Sequence, residues 1–300
     1  MAASTSIEWT DKTWNPTRGC RRLSPGCLHC YAERVAYRFS GPGKPYEGLV
    51  KLGKGGPVWT GAGRFIPSAL DEPLGWRKPQ RIFVNSMSDL FYDGFSDAQI
   101  DQVYAVMLLT PWHTHQVLTK RPERAARYLA DPMLYSRVLE AANQIRAARR
   151  GRKHGPGKAS LDQIAISNPA THPPRWIWLL TSVENQATAD ERIPHLLRCP
   201  AAVRGVSYEP ALGAVDFSRW LRCSGCGTTG ARRGAERCCP DQTEVLDWLI
   251  AGGESGRGAR PCDVAWLRAA VAQCKETQTP VFVKQLGTHI TRWVPDNTTD

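Results

Sequence analysis

Six short apolar runs, most separated by helical stretches and each closed by polar residues, restrict this chain more than any other feature. Ile82-Phe83-Val84 ends at Asn85, with Asp89 just beyond, and His115 to Thr119 ends at Lys120-Arg121. Trp176 to Leu180 leads into Glu184, Val203 to Val206 into Glu209, Leu246 to Ala251 into Gly252-Gly253-Glu254, and Val281 to Val283 into Lys284. Between them, Ser96 caps a predicted helix through Ile100, Val103, Val106, Met107 and Leu108; Pro122 opens another, and Val264 to Cys274 has helical spacing. Short apolar strands alternating with helices predict parallel βαβ units. Polar residues just past strand C-termini then line a site, at the mouth of a parallel barrel or in the crevice of a doubly wound sheet.

Three cysteines precede this pattern. Cys20, Cys27 and Cys30 lie on one Gly/Pro-rich loop, Gly19-Cys20 through Ser24-Pro25-Gly26-Cys27-Leu28-His29-Cys30. Three neighbouring thiolates hold a soft metal or a cluster. Without an obvious fourth ligand, they point to a four-iron, four-sulfur (4Fe-4S) cluster with one iron open to a small molecule. The other reading is a structural zinc knuckle completed by His29 or a distant cysteine.

The loop resembles the cluster loop of the radical S-adenosylmethionine (radical SAM) superfamily. The wider phrase Ile7-Glu8-Trp9-Thr10-Asp11, Thr13-Trp14-Asn15-Pro16, Gly19-Cys20 to Cys30-Tyr31-Ala32 is similar to a phage- and prophage-associated three-cysteine-motif family of unknown function, as are Asp247 to Gly256 and Val281 to Gly287. Two departures stand out. Six residues rather than three separate Cys20 from Cys27, and the position before the last cysteine is His29 rather than an aromatic. The resemblance implies one α/β domain over 1–300, a partial (β/α)6-type TIM-like barrel, rather than a doubly wound sheet. It also implies reductive cleavage of S-adenosylmethionine and an electron donor. Gly252, Gly253 and Glu254 have the composition of the superfamily's methionine-binding GGE element but follow the fifth legible strand rather than the second. With Asn85, Glu184 and Glu209 they are the candidate cofactor-binding residues; no catalytic residue is assigned. Gly252-Gly253 also reads as a tight turn that needs glycine backbone freedom. Each glutamate reads equally as a binding group or as half of an internal ion pair.

Two segments interrupt the rhythm. Residues 131–174 hold an Arg-rich helical piece, Val138 to Arg150, and then the basic loop Arg152 to Lys158. Residues 218–245 hold Cys223, Cys226, Cys238 and Cys239, whose spacing suits a separate Zn2+ knuckle.

The formal net charge of +11 favours a polyanionic partner, with nucleic acid or a nucleotide as the expected substrate class. Its expected carriers are Arg18, Arg21 and Arg22 with the 152–158 loop. No run of about 18 apolar residues predicts a membrane span, and Met1 to Ser6 has no apolar signal core, so a cytoplasmic protein is expected. No protein partner is identified. A second function class stays open: a non-catalytic zinc and nucleic-acid-binding protein on a degenerate barrel.

Overall fold

The computed structural model describes residues 5, 7–151, 161–222 and 245–291. The fold is mixed α/β around a seven-stranded sheet whose order follows the chain: β1 (Lys12–Trp14), β2 (Arg81–Val84), β3 (Thr114–Thr119), β4 (Ile177–Val183), β5 (Val203–Tyr208), β6 (Trp248–Gly252) and β7 (Val281–Gln285). β1 pairs parallel with β2 (Trp14 opposite Val84) and β2 with β3 (Val84 opposite Val117). β6 pairs parallel with β5 (Leu249 opposite Val206) and with β7 (Leu249 opposite Val281). Sequential parallel order lacks the reversal that defines a doubly wound sheet, so that alternative is set aside. The expected six strands are seven. β1 escapes a periodicity reading because Lys12-Thr13-Trp14 contains no apolar run, although Trp14 is fully buried and its Nε1 donates to Ala69 O at 2.7 Å. This burial makes Trp14 a packing residue of the core.

The chain divides into two compact units: 1–23, 30–180 and 199–203 in the first, and 24–29, 181–198 and 204–300 in the second. In the first, α1 (Tyr31–Tyr37) packs on a two-stranded hairpin, Val50–Gly53 with Gly56–Trp59. Their shared apolar cluster comprises Ala32, Ala36, Tyr46, Leu49, Val50, Trp59 and Met87. α2 (Asp97–Leu108) starts at Ser96 with a reciprocal capping box: Gln99 N donates to Ser96 Oγ, and Ser96 N donates to Gln99 Oε1. α3 (Pro122–Leu129) and α4 (Leu134–Ala148) follow. α4 is the Arg-rich piece of 131–174, and it packs on α2 rather than standing out from the fold. Its Arg137 pairs with Asp101 and Asp131, and Arg149 with Asp71. In the second unit, α5 (Gln186–Leu197) follows β4, and α6 (Val264–Glu276) joins β6 to β7. The basic 152–158 loop and Cys223, Cys226, Cys238 and Cys239 lie outside the described residues. Among the described residues no helix is long and apolar enough to cross a membrane.

Candidate functional site

The cysteine segment leaves the end of β1 and is stitched to the chain that leaves β2. Ser88 Oγ donates to Thr17 O at 2.9 Å, Met87 N donates to Asn15 Oδ1 at 2.9 Å, and Tyr31 OH donates to Ser86 O at 2.5 Å. At Gly19 (φ 89°) a Cβ would fall 2.2 Å from Ala62 O, so only glycine admits this approach just before Cys20.

Within the first unit, Cys20 and Cys30 pack against the apolar cluster under α1. Arg121, just past β3, directs Nη1 at Cys20 Sγ (3.8 Å) and at Asp89 Oδ2 (3.0 Å), and Nη2 donates to Arg21 O (2.9 Å). Asp89 is in turn fixed by the Thr119 hydroxyl at 2.7 Å and by the backbone N–H groups of Lys120 and Phe91. Both partners are about nine-tenths buried. Burial pushes the Cys20 thiol up to about 12, with the Asp89 charge adding to the rise and Arg121 opposing it. The apoprotein therefore holds this sulfur as a thiol, and a soft metal that takes its proton would find a cation already beside it. Asn85, at the end of β2, has a left-handed backbone (φ 61°) and is 2% exposed. Neither its amide oxygen nor its amide nitrogen meets a hydrogen-bond partner among the described residues.

Cys27 belongs to the second unit, on the one-turn helix Pro25–Cys27. Here the carboxylates at the ends of β4 and β6 act on the loop itself. Ser24 Oγ donates to Glu184 Oε1 at 2.8 Å, and a Cβ on Gly26 would fall 2.3 Å from the same oxygen. Glu184 is fully buried and charge-balanced by Arg192, whose Nη1 lies 3.1 Å from Oε2. Glu254 receives Arg260 through Nη2 (2.6 Å), Nε (3.0 Å) and the backbone N–H (2.9 Å), and His29 Nδ1 lies 2.8 Å from Oε2. Arg260 Nη1 also donates to Pro25 O at 2.8 Å. Burial alone would raise the Glu254 carboxyl; the Arg260 donations, helped by His29, outweigh it and hold the group at about 2. Glu209 pairs with Lys284 at 3.2 Å.

The predicted cofactor residues are thus placed unequally. Glu184, Glu209 and Glu254 sit at strand ends as expected, each committed to a cation. Gly252 and Gly253 are glycines for want of room rather than for backbone freedom: a Cβ at Gly252 would lie 2.7 Å from Glu209 Oε1, and one at Gly253 2.2 Å from Leu286 O. Asn85 alone presents an unengaged side chain. Arg121, Arg192 and Arg260 were not singled out by sequence, since each acts on a carboxylate through the fold; only Arg121, at a strand end, carries a local signal.

The donor chemistry of Cys20, Cys27 and Cys30 fits a thiolate-bound cluster, and none of the three is in a disulfide. Among the described residues no group of three or more His, Cys, Asp or Glu is gathered as a bound metal ion requires. The family described as "Protein of unknown function (DUF5131)" matches residues 4–299, and the chain belongs to it. No curated protein and no solved structure matches the chain.

Proposed function

We propose that this member of the family is a radical SAM-like, phage-associated cytoplasmic enzyme. In this reading it holds a 4Fe-4S cluster through Cys20, Cys27 and Cys30 and acts on a nucleic acid or nucleotide-type substrate. The observation that carries the proposal is how the cysteine segment is held. In one unit a buried Asp89–Arg121 pair is aimed at the Cys20 sulfur. In the other, Glu184 and Glu254 fasten residues 24–29 through Ser24 and His29. A segment that merely connects two elements needs no such anchoring, whereas a ligand-bearing loop gains geometric precision from it.

With the cluster bound, the chemistry supplied is one-electron reductive cleavage of the sulfonium C–S bond of S-adenosylmethionine. The chain's own residues bind and orient. Arg121 donates to the Cys20 sulfur and offsets negative charge there. Glu184 and Glu254 keep Ser24 and His29 in place on either side of Cys27. Asn85 offers a donor and an acceptor from one amide, which suits a ligand carrying both, such as the amino-acid end or the adenine edge of S-adenosylmethionine. Cys223, Cys226, Cys238 and Cys239 are assigned a separate Zn2+.

Anaerobic protein given a chemical reductant and S-adenosylmethionine tests the proposal. Release of 5′-deoxyadenosine, abolished in Cys27→Ala, is expected. Its absence from protein carrying a full iron complement leaves the non-catalytic zinc and nucleic-acid-binding reading.

A further inference from the structure

The basic excess is gathered rather than spread along the chain. Between Lys12 and Arg64 there are ten Lys and Arg against two acids, Glu33 and Glu47, so this stretch holds +8 of the net +11. Of the two acids, Glu33 is not available to neutralise a surface. Glu33 is 1% exposed, takes Arg22 through three contacts of 2.6–3.1 Å, and accepts from Trp59 N. Glu47 accepts from Gly43 N and closes a turn.

The cations divide accordingly. Arg22 is held by Glu33, Arg18 lies over the Tyr46 ring, and Arg64 donates to Pro45 O and Glu47 O. The expectation that Arg22 grips a polyanion therefore shifts to its neighbours. Arg34 and Arg38 on and just after α1, Lys44, and Lys51 and Lys54 on the hairpin have no acidic partner among the described residues. Along the chain, exposed rings alternate with these cations: Tyr37, 41% exposed, precedes Arg38, and Phe39, 50% exposed, follows it. Free cations interleaved with exposed aromatic faces match what an unpaired strand presents, a phosphate track with bases free to stack. A duplex hides its base faces and offers the rings nothing.

We propose that α1 and the Val50–Trp59 hairpin form a binding platform for single-stranded nucleic acid. It is read through phosphates and stacked bases, features that single-stranded DNA and RNA share. The apolar cluster beneath the platform is the one against which Cys20 and Cys30 pack, so the platform and those sulfurs share one packed cluster. This rests on the proposed substrate class but not on the cluster chemistry, since binding is measured on the apoprotein without S-adenosylmethionine.

The experiment is fluorescence anisotropy of labelled dT20, U20 and a 20-base-pair duplex with the full chain across a salt series. Four neutralised phosphates predict a log–log salt slope of about −3 for either single strand. Simultaneous Arg34→Glu, Arg38→Glu, Lys51→Glu and Lys54→Glu should weaken single-strand binding about 100-fold and flatten that slope. Tyr37→Ala with Phe39→Ala should cost about tenfold or more on single strands and leave duplex binding unchanged. Arg268→Glu with Lys275→Glu, at exposed cations of the second unit, should change nothing. Thermal unfolding of each variant separates lost binding from lost folding. Equal affinity for duplex and single strand, indifference to the ring substitutions, or a tenfold preference between dT20 and U20 would overturn the proposal.

Discussion

Glu254→Gln tests whether a buried carboxylate holds the cysteine loop. The substitution keeps the side chain's size but removes the charge that takes three Arg260 donations and the His29 contact. The Glu254 carboxyl falls from an ordinary 4.5 to about 2 in the folded protein. At about 1.4 kcal/mol for each tenfold change in proton affinity, that is about 3 kcal/mol at neutral pH. Arg260 is 24% exposed, and solvent screening brings the expected loss to about 2 kcal/mol. The sign follows from a depressed carboxyl. The stabilisation is fully present above pH 4.5 and disappears as pH falls through about 2. Urea unfolding of wild type and variant at pH 7, 5, 4 and 3 reads it, and their difference cancels the other carboxylates. The gap should be about 2 kcal/mol at pH 7 and 5 and close progressively below 4.5. An undiminished gap at pH 3 would show that Gln perturbs packing instead, and that the ion pair does not fasten the loop.

Asp89→Ala leaves Arg121 buried beside Cys20 without its counter-charge and should cost about 3 kcal/mol in urea unfolding; a loss below about 1 kcal/mol contradicts a structural pair. Gly26→Ala drives a Cβ to within 2.3 Å of Glu184 Oε1; about 1–3 kcal/mol of destabilisation and faster alkylation of Cys27 are expected, and wild-type values for both would mean the loop is not seated on Glu184. Asn85→Gly removes both a left-handed non-glycine backbone and a buried amide with no partner among the described residues. It should stabilise the apoprotein by about 1 kcal/mol while weakening S-adenosylmethionine binding in calorimetry; a destabilised variant with unchanged binding refutes the assigned role.

The strand–helix rhythm was legible because four of the six strands carry three or more consecutive apolar residues and all six lead into a recognisable polar group. β1 was not, since three residues, one of them Lys12, give no period to read. Glu184, Glu209 and Glu254 were placed correctly at strand ends, but what they do there depends on Arg192, Lys284 and Arg260. Arg192 lies eight residues from its partner, Lys284 seventy-five and Arg260 six, and nothing local couples them. Gly252-Gly253 looked like a turn requirement, whereas the true constraint is contact with Glu209 and with the chain leaving β7, which only the folded sheet creates. Formal charge could be counted from the sequence, yet which cations stay free could not. That depends on Glu33 being buried against Arg22.

The central claim concerns the three cysteines, and metal content tests it most directly. Protein purified and reconstituted anaerobically should contain about four irons and four sulfides per chain and be brown. Cys20→Ala, Cys27→Ala and Cys30→Ala together should remove all of that iron while leaving any zinc in place. Zinc without iron in the reconstituted wild type, or iron that survives the triple substitution, would contradict the assignment.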